Sequence, residues 1–133
     1  GYLTEVMGIE SFADGVAWWD KNAEAVDTDA YTFSKEAVVV YTMILAGKGL
    51  ARGIRVNDVG PGPVDTPILP DFTTDVGADV MQSMIDMVGR SAQPRDIGEA
   101  LVTLAEGRIS WLNGQHIIVD GGLMAGLSSG WKG

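Results

Sequence analysis

The first fifty residues carry two helical patterns that differ in their apolar faces. Apolar side chains recur every three or four positions from Ser11 to Val26, with charged residues between them, which predicts an amphipathic helix. The stretch from Asp29 to Leu50 is apolar nearly all round and predicts a second helix, with Thr28 or Asp29 as its N-cap. Such a helix must be covered on more than one side, which indicates a partner subunit or a further layer. Trp18 lies off the first apolar stripe, so it either packs within the chain or faces a ligand or partner.

The remainder of the chain alternates short strands with helices. Ile54–Val59 predicts a strand, which Gly60-Pro61-Gly62-Pro63 should end because these residues interrupt regular structure. The further predicted elements are a loop over Val64–Phe72, helices over Thr74–Val88 and from Pro94 to Gly107, a strand over Gln115–Val119, and a loosely ordered tail to Gly133. A long helix, a glycine turn and a strand form the second half of a βαβ unit, which predicts an α/β fold.

No linker separates these elements, so we expect a single partial domain. It would consist of an acidic helical segment over residues 1–28, a core over residues 29–123, and the loose tail over residues 124–133. The chain begins at Gly1 rather than Met, and we take it as a processed chain or a piece of a longer one.

Composition narrows the classes of partner. The net charge of −9 argues against nucleic acid and anionic membranes, because both select basic surfaces. The chain has no cysteine, which excludes disulfides and thiol chemistry. The single histidine, His116, lies in an apolar run and is predicted to be structural, so we expect neither a histidine triad nor a metal site. The longest apolar stretch, around residues 38–45, is too short to span a bilayer.

Tyr31 and Lys35 are the candidates for proton-transfer chemistry. Their four-residue spacing places both side chains on one helix face, one turn apart. A phenol has an unperturbed pKa of about 10, and a nearby ammonium favours its ionised form. A pair of this kind in a cleft is suited to general acid–base catalysis. Chance produces the spacing in about one chain in ten of this composition, so the pair alone fits a half-buried tyrosine beside a solvated lysine.

An ordered set of downstream motifs changes this interpretation. Its members are Tyr31-x-x-x-Lys35, Ile54-Arg55-Val56-Asn57-x-Val59-x-Pro61-Gly62-x-Val64-x-Thr66-Pro67, Gly89-Arg90, Pro94-x-Asp96-Ile97 and Gly114-Gln115-x-Ile117-x-Val119-Asp120-Gly121-Gly122. With this set the chain resembles the C-terminal half of a short-chain dehydrogenase/reductase. The segment Pro63–Phe72 and the acidic stretch before Tyr31 are similar to the coniferyl-alcohol dehydrogenase and 3α-hydroxysteroid dehydrogenase branch. The resemblance implies the truncated second half of a Rossmann-like doubly wound parallel sheet, helix-rich with few short strands.

The resemblance also implies roles for the motif residues. Tyr31 would be the general acid/base at the substrate oxygen, and Lys35 would favour the phenolate and hold the nicotinamide ribose hydroxyls. The residues that would hold the nicotinamide ring of NAD or NADP and its carboxamide are Pro61, Gly62, Val64 and Thr66. For Thr66 the alternative is a cap or turn. The loop from Pro67 through the Thr74–Val88 helix would cover a small alcohol, ketone or aldehyde substrate.

Other implications concern assembly. The resemblance implies a cytoplasmic protein. Because equivalent surfaces mediate oligomers in the family, we expect a dimer or tetramer through the Asp29–Leu50 helix and through the final strand with its flanking helix. Asp120-Gly121-Gly122 would then be a turn at a subunit contact.

Several parts of the family pattern are missing, which leaves two functions open. The chain contains neither the glycine-rich dinucleotide fingerprint nor the Asn-Ala-Gly element, and Ser11 opens a helix, unlike the family's catalytic serine. Asp58 is a charge in a strand expected to be buried, so that strand is an edge or Asp58 has a partner. The chain is thus part of an NAD(P)-dependent oxidoreductase, inactive alone, or a non-catalytic remnant that keeps an assembly surface.

Overall fold

The computed structural model describes residues 1–26 and 28–131, which fall into two compact units. Unit 1 comprises Gly1–Asp58 and Leu112–His116, and unit 2 comprises Val59–Trp111 with the chain from Ile117 onward.

Unit 1 is built from three helices, α1 (Tyr2–Val6), α2 (Phe12–Val26) and α3 (Ala30–Gly49). The bounds of α2 and α3 confirm the two helices predicted from the apolar pattern, to within a residue at each end. Asp29 is the N-cap of α3, because its carboxylate accepts a hydrogen bond of 2.9 Å from the amide of Thr32. A single 3₁₀ turn, Leu50–Arg52, then leads into Gly53, whose φ of +66° is left-handed.

An aromatic cluster joins α1, α2 and α3. The ring of Phe33, which is 7% exposed, stacks on Trp18 at a centroid distance of 5.6 Å and meets Trp19 at 5.4 Å. Tyr2 packs edge-on against Trp18 at 5.9 Å. Of the alternatives for Trp18, packing within the chain is therefore the one observed.

The end of α3 rests on the segment that follows it. A Cβ added to Gly49 would lie 2.6 Å from the carbonyl oxygen of Ile54, so only glycine permits this approach. On the same side, a Cβ added to Gly114 would lie 3.2 Å from that of Ala46. The two glycines let α3 lie directly against extended backbone.

The strand predicted at Ile54–Val59 lies later in the chain, at β1 (Asp58–Pro61). It pairs in parallel with β2 (His116–Val119). Residues 54–57 lie outside the ladder because the side chain of Asn113 takes the place of a partner strand. Its Oδ1 accepts from the Val56 amide at 2.9 Å, and the Gly114 amide donates to the Val56 carbonyl at 2.7 Å. The strand prediction was right in kind and wrong in its bounds.

The run Gly60-Pro61-Gly62-Pro63 was predicted to end the first strand, and β1 does end within it, at Pro61. The register explains why proline is accepted there. The amides of Asp58 and Gly62 donate to Gln115 and Val119 of the β2 segment, at 3.0 and 3.3 Å. In a parallel strand alternate residues point their amides to opposite sides, so position 61 faces away from β2 and needs no N–H.

Asp58 has a partner across the sheet. Its Oδ1 contacts Nδ1 of His116, and the two side chains are 15% and 35% exposed. His116 therefore links two strands, in agreement with the prediction that it is structural. The β1 edge opposite β2 carries no strand among the described residues, so both explanations offered for the charge at Asp58 apply.

The described residues of unit 2 form four helices: α4 (Leu69–Val76), α5 (Ala78–Val88), α6 (Pro94–Ala105) and α7 (Leu123–Ser129). The single helix predicted over Thr74–Val88 is wrong, because Gly77 has φ +97° and ψ 135° and separates α4 from α5. The predicted loop over Val64–Phe72 is correspondingly shorter, since α4 begins within it and carries Pro70 in its first turn, where no amide partner is needed. The start of α6 at Pro94 is confirmed.

The tail from residue 124 was predicted to be loose, but residues 123–129 form α7. Leu123 and Gly126 are buried, and a Cβ at Gly126 would lie 2.6 Å from Sδ of Met87. Gly126 allows α7 to pack closely on α5, so the glycine content of this segment does not indicate disorder. The last two residues of the predicted tail lie outside the described residues.

Within the described part of the chain, none of the helices has the length and apolar character needed to cross a membrane.

Candidate functional site

Tyr31 and Lys35 lie together on an exposed face of α3. Nζ of Lys35 is 5.0 Å from the centroid of the Tyr31 ring, a cation–π contact between side chains one turn apart. Tyr31 is 51% exposed. The structure therefore brings this predicted pair together.

Two features orient this end of α3. The Asp29 carboxylate accepts hydrogen bonds from both the hydroxyl and the amide of Thr32, at 2.6 and 2.9 Å. The hydrogen bond from the hydroxyl, followed by that from the amide, lowers the pKa of Asp29 below its ordinary value and holds the cap ionised. On the opposite face, Phe33 is held between Trp18 and Trp19. Because residues 31 and 33 point to opposite sides of a helix, burying Phe33 turns Tyr31 outward.

The second group of predicted residues, Pro61, Gly62, Val64 and Thr66, forms one continuous segment of unit 2. Gly62 is pinned to β2 through its amide, and a Cβ at this position would lie 3.0 Å from Cβ of Asp120. The family resemblance implied that Gly62 holds the nicotinamide. The structure gives an intramolecular reason for the glycine, the approach of Asp120.

Val64 lies in a parallel bridge with Ala92. The Ala92 amide donates to the Pro63 carbonyl and the Asp65 amide donates to the Ala92 carbonyl, both at 2.8 Å. The amide and carbonyl of Val64 consequently point away from Ala92. The Thr66 hydroxyl lies 3.4 Å from the Val64 carbonyl, a long contact that leaves the hydroxyl able to turn to another acceptor. These groups fit a nicotinamide carboxamide, which both donates and accepts hydrogen bonds.

Beside this segment, unit 2 contains a cleft of about 210 Å³ where β1 and β2 end. Arg90 and Asp96 line it and form a two-pronged pair, with Nη1–Oδ2 at 2.7 Å and Nη2–Oδ1 at 3.2 Å. The hydrogen bond from Arg90, followed by that from the Gln93 amide, holds the pKa of Asp96 below its ordinary value. The pair satisfies both charges internally and closes the start of α6 with a capping box.

Ser11 has a local structural role. Its hydroxyl donates to Asp14 at 2.6 Å and accepts from the Asp14 amide at 3.1 Å, which is a helix-capping arrangement at the start of α2. The contacts agree with the expectation that Ser11 is not the family's catalytic serine.

Three polar residues hold backbone next to the predicted site residues, a role that the sequence pattern did not predict, although Asn57 and Asp120 stand in the motifs. Asn113 and Asn57 hold the segment before β1, since the Asn57 side chain donates to the Leu112 carbonyl at 3.2 Å and accepts from the Gln115 amide at 3.1 Å. Asp120 fixes the turn after β2 through two amides. These contacts could have been predicted from the amide or carboxylate side chain at each strand end. Backbone groups there lack ladder partners and need such side chains for their hydrogen bonds.

Comparisons with known proteins point to one family. The sequence profile of Enoyl-(Acyl carrier protein) reductase matches residues 11–124. Over 120 residues the chain is 32% identical to the coniferyl-alcohol dehydrogenase of a Pseudomonas species, covering 90% of this chain and 47% of that protein. The chain belongs to the short-chain dehydrogenase/reductase family. It is also 34% identical to the 3-alpha-(or 20-beta)-hydroxysteroid dehydrogenase of Mycobacterium bovis over 128 residues, covering 96% and 43% of the two chains.

The fold of this short-chain dehydrogenase/reductase agrees with solved structures. A 3-oxoacyl-(acyl-carrier protein) reductase from Brucella melitensis, in complex with NAD, superposes with a TM-score of 0.61 at 26% identity, over 71% of this chain and 37% of that one. The predicted family, its branch and the Rossmann-like fold class are thus confirmed. The chain spans less than half the length of these relatives.

Proposed function

We propose that this chain is part of an NAD(P)-dependent oxidoreductase that interconverts alcohol and carbonyl groups of small molecules. The observation that carries the proposal is the Tyr31–Lys35 pair on the exposed face of α3, with Nζ 5.0 Å from the ring centroid. The named relatives are dehydrogenases of an alcohol and of hydroxysteroids, which supports this substrate class.

In this proposal Tyr31 moves the proton. When the substrate is a carbonyl, the phenol donates its proton to the carbonyl oxygen, and when it is an alcohol, the phenolate accepts the hydroxyl proton. Lys35 stabilises the phenolate by its charge and would donate hydrogen bonds to the ribose hydroxyls of a bound cofactor. A bound nicotinamide, NAD or NADP, would accept or supply the hydride.

The segment of Pro61, Gly62, Val64 and Thr66 would hold the nicotinamide. The Val64 amide and carbonyl and the Thr66 hydroxyl supply the donors and the acceptor that a carboxamide requires, and Pro61 with Gly62 sets the turn before them. The loop from Pro67 through α4 and α5 would close over the substrate. We expect the 133-residue chain alone to show little or no turnover, and we place the protein in the cytoplasm.

The test is turnover by a protein in which this chain follows the N-terminal half of a family member. Tyr31→Phe should lower kcat by roughly a hundredfold to ten-thousandfold, the range for losing a general acid–base group. Tyr41→Phe is the matched control, because Tyr41 lies on the same helix and is similarly exposed at 50%, and it should leave the rate unchanged. An unchanged rate in Tyr31→Phe would refute the mechanism.

The competing proposal is a non-catalytic module that keeps an assembly surface. It is favoured by the apolar side chains that α3 exposes, Val38 and Tyr41 at 50% and Met43 at 54%. A second copy of the chain would cover this helix, and the final strand with α6 would form another contact. Calorimetric titration separates the proposals, since micromolar binding of NAD(H) or NADP(H) to the 133-residue chain would contradict the module.

A further inference from the structure

Asp120, directly after β2, lies against the turn that holds Gly62. The ladder between β1 and β2 ends with the Gly62 amide donating to the Val119 carbonyl at 3.3 Å. Immediately beyond it, a Cβ at position 62 would lie 3.0 Å from Cβ, 3.1 Å from Cα and 3.3 Å from the carbonyl oxygen of Asp120. Two of these three atoms are backbone, so a change of side-chain rotamer cannot relieve the approach.

Asp120 is itself fixed by the start of α7. Its Oδ1 accepts from the Gly122 amide at 2.8 Å, its Oδ2 accepts from the Met124 amide at 2.7 Å, and its carbonyl accepts from the Leu123 amide at 3.3 Å. Gly121 and Gly122 have φ values of +69° and +96°, which side-chain-bearing residues rarely adopt. All of the hydrogen bonds that the structure gives to this carboxylate therefore come from backbone amides of the turn and the start of α7.

The helix on the other side of this turn is anchored. Leu123 is 6% exposed, and Gly126 lies against Met87 of α5 and against the ring of Trp131. A helix of seven residues has little stability of its own, so these contacts and the Asp120 cap hold it in place.

We infer that Asp120 is a positioning residue that ties the Pro61–Gly62 turn to the packed helix α7. This inference rests on the proposed function in one respect, namely that the positioned turn holds nicotinamide. It assigns a role to the carboxylate that neither the family motif nor the cofactor contacts supplied. It also assigns a structural role to α7, because this packed helix anchors Asp120 and, through it, the Pro61–Gly62 turn.

Amide hydrogen exchange, resolved by NMR on the 133-residue chain, tests the positioning without any cofactor. Asp120→Ala removes both carboxylate contacts and should accelerate exchange at the Gly62 amide by about tenfold, as expected for losing a cap. Asp120→Asn keeps one acceptor and should show a smaller increase. Asp75→Ala, which removes an exposed carboxylate from α4, is the control and should leave the Gly62 amide unchanged.

Two results would overturn the inference. Equal acceleration of every amide in unit 2 would mean that Asp120 supports only global stability. The inference would also be contradicted if Gly62→Ala and Asp120→Ala had additive effects on amide exchange at position 62 when combined. If the two residues act through one contact, Gly62→Ala should already displace the turn and the second substitution should add little.

A parallel titration with reduced nicotinamide mononucleotide, followed by its fluorescence, addresses the cofactor separately. If the turn holds nicotinamide, Asp120→Ala should raise Kd about tenfold while the control keeps the wild-type value. Absence of binding to the wild-type chain would contradict the cofactor role proposed for the turn. The exchange result would still decide whether Asp120 positions it.

Discussion

Aspartate side chains close the starts of three helices around the candidate residues. Asp29 caps the helix of Tyr31 and Lys35, Asp96 completes the capping box of α6, and Asp120 fixes the first turn of α7. In each case a carboxylate accepts from amides that have no partner within the helix. At the scale of single residues, these three acids therefore serve local structure.

The Arg90–Asp96 pair should make stability depend on pH. Because the folded pKa of Asp96 is lowered, its stabilising contribution is fully present above the ordinary carboxylate pKa and is lost as the pH falls through the folded value. We expect the urea midpoints of wild type and Asp96→Asn to differ most near about pH 6 and to converge towards about pH 3. Asp75→Asn, a change at an exposed acid of α4, is the control. A difference independent of pH would exclude this role.

At the scale of elements, the structure departs from the sequence pattern where a glycine or an asparagine decides the backbone. The amphipathic pattern of residues 74–88 is continuous, but Gly77 breaks it into α4 and α5. Residues 54–57 have the composition of a strand, but Asn113 occupies the position of a neighbour. The periodicity of apolar residues predicts which face of an element is buried. It does not predict where a single φ angle or a single side chain ends that element.

Two glycine substitutions test the α4–α5 junction. A Cβ at Gly77 would meet nothing within 4 Å, so the effect of Gly77→Ala comes from backbone conformation alone and should destabilise by about 1–2 kcal/mol. Gly98 lies inside α6, also with nothing within 4 Å, and Gly98→Ala should stabilise by up to about 1 kcal/mol. Urea unfolding followed by circular dichroism measures both. Equal effects of the two substitutions would show that the Gly77 conformation does not set the junction.

At the scale of the whole molecule, few apolar side chains are buried. Among the described residues these are Phe33, Ala46, Met81 and Leu123. Apolar side chains of α3 are exposed instead, including Val38, Tyr41 and Met43. Exposed apolar surface of this kind favours association with another protein surface.

Self-association is therefore expected for the isolated chain. Light scattering should give a mass above 14.1 kDa in dilute solution. Val38→Glu places a charge on the exposed apolar face of α3 and should shift the chain towards the monomer, because an unpaired charge is costly to bury. Glu36→Gln, on a different face of α3, is the control. A well-folded monomer at low concentration in the wild type would refute the proposal.

The sequence by itself determined the family, the α/β class, the two long helices of unit 1 and the Tyr31–Lys35 spacing. These follow from periodicity and from the order of motifs, which are local properties of the chain. Tertiary structure alone decided that Gly62 is small because of Asp120, that Asp58 meets His116 across the sheet, and that the glycine-rich tail is a helix on α5. Each of these depends on residues about 40 or more positions apart, and no local pattern records what such a partner will be.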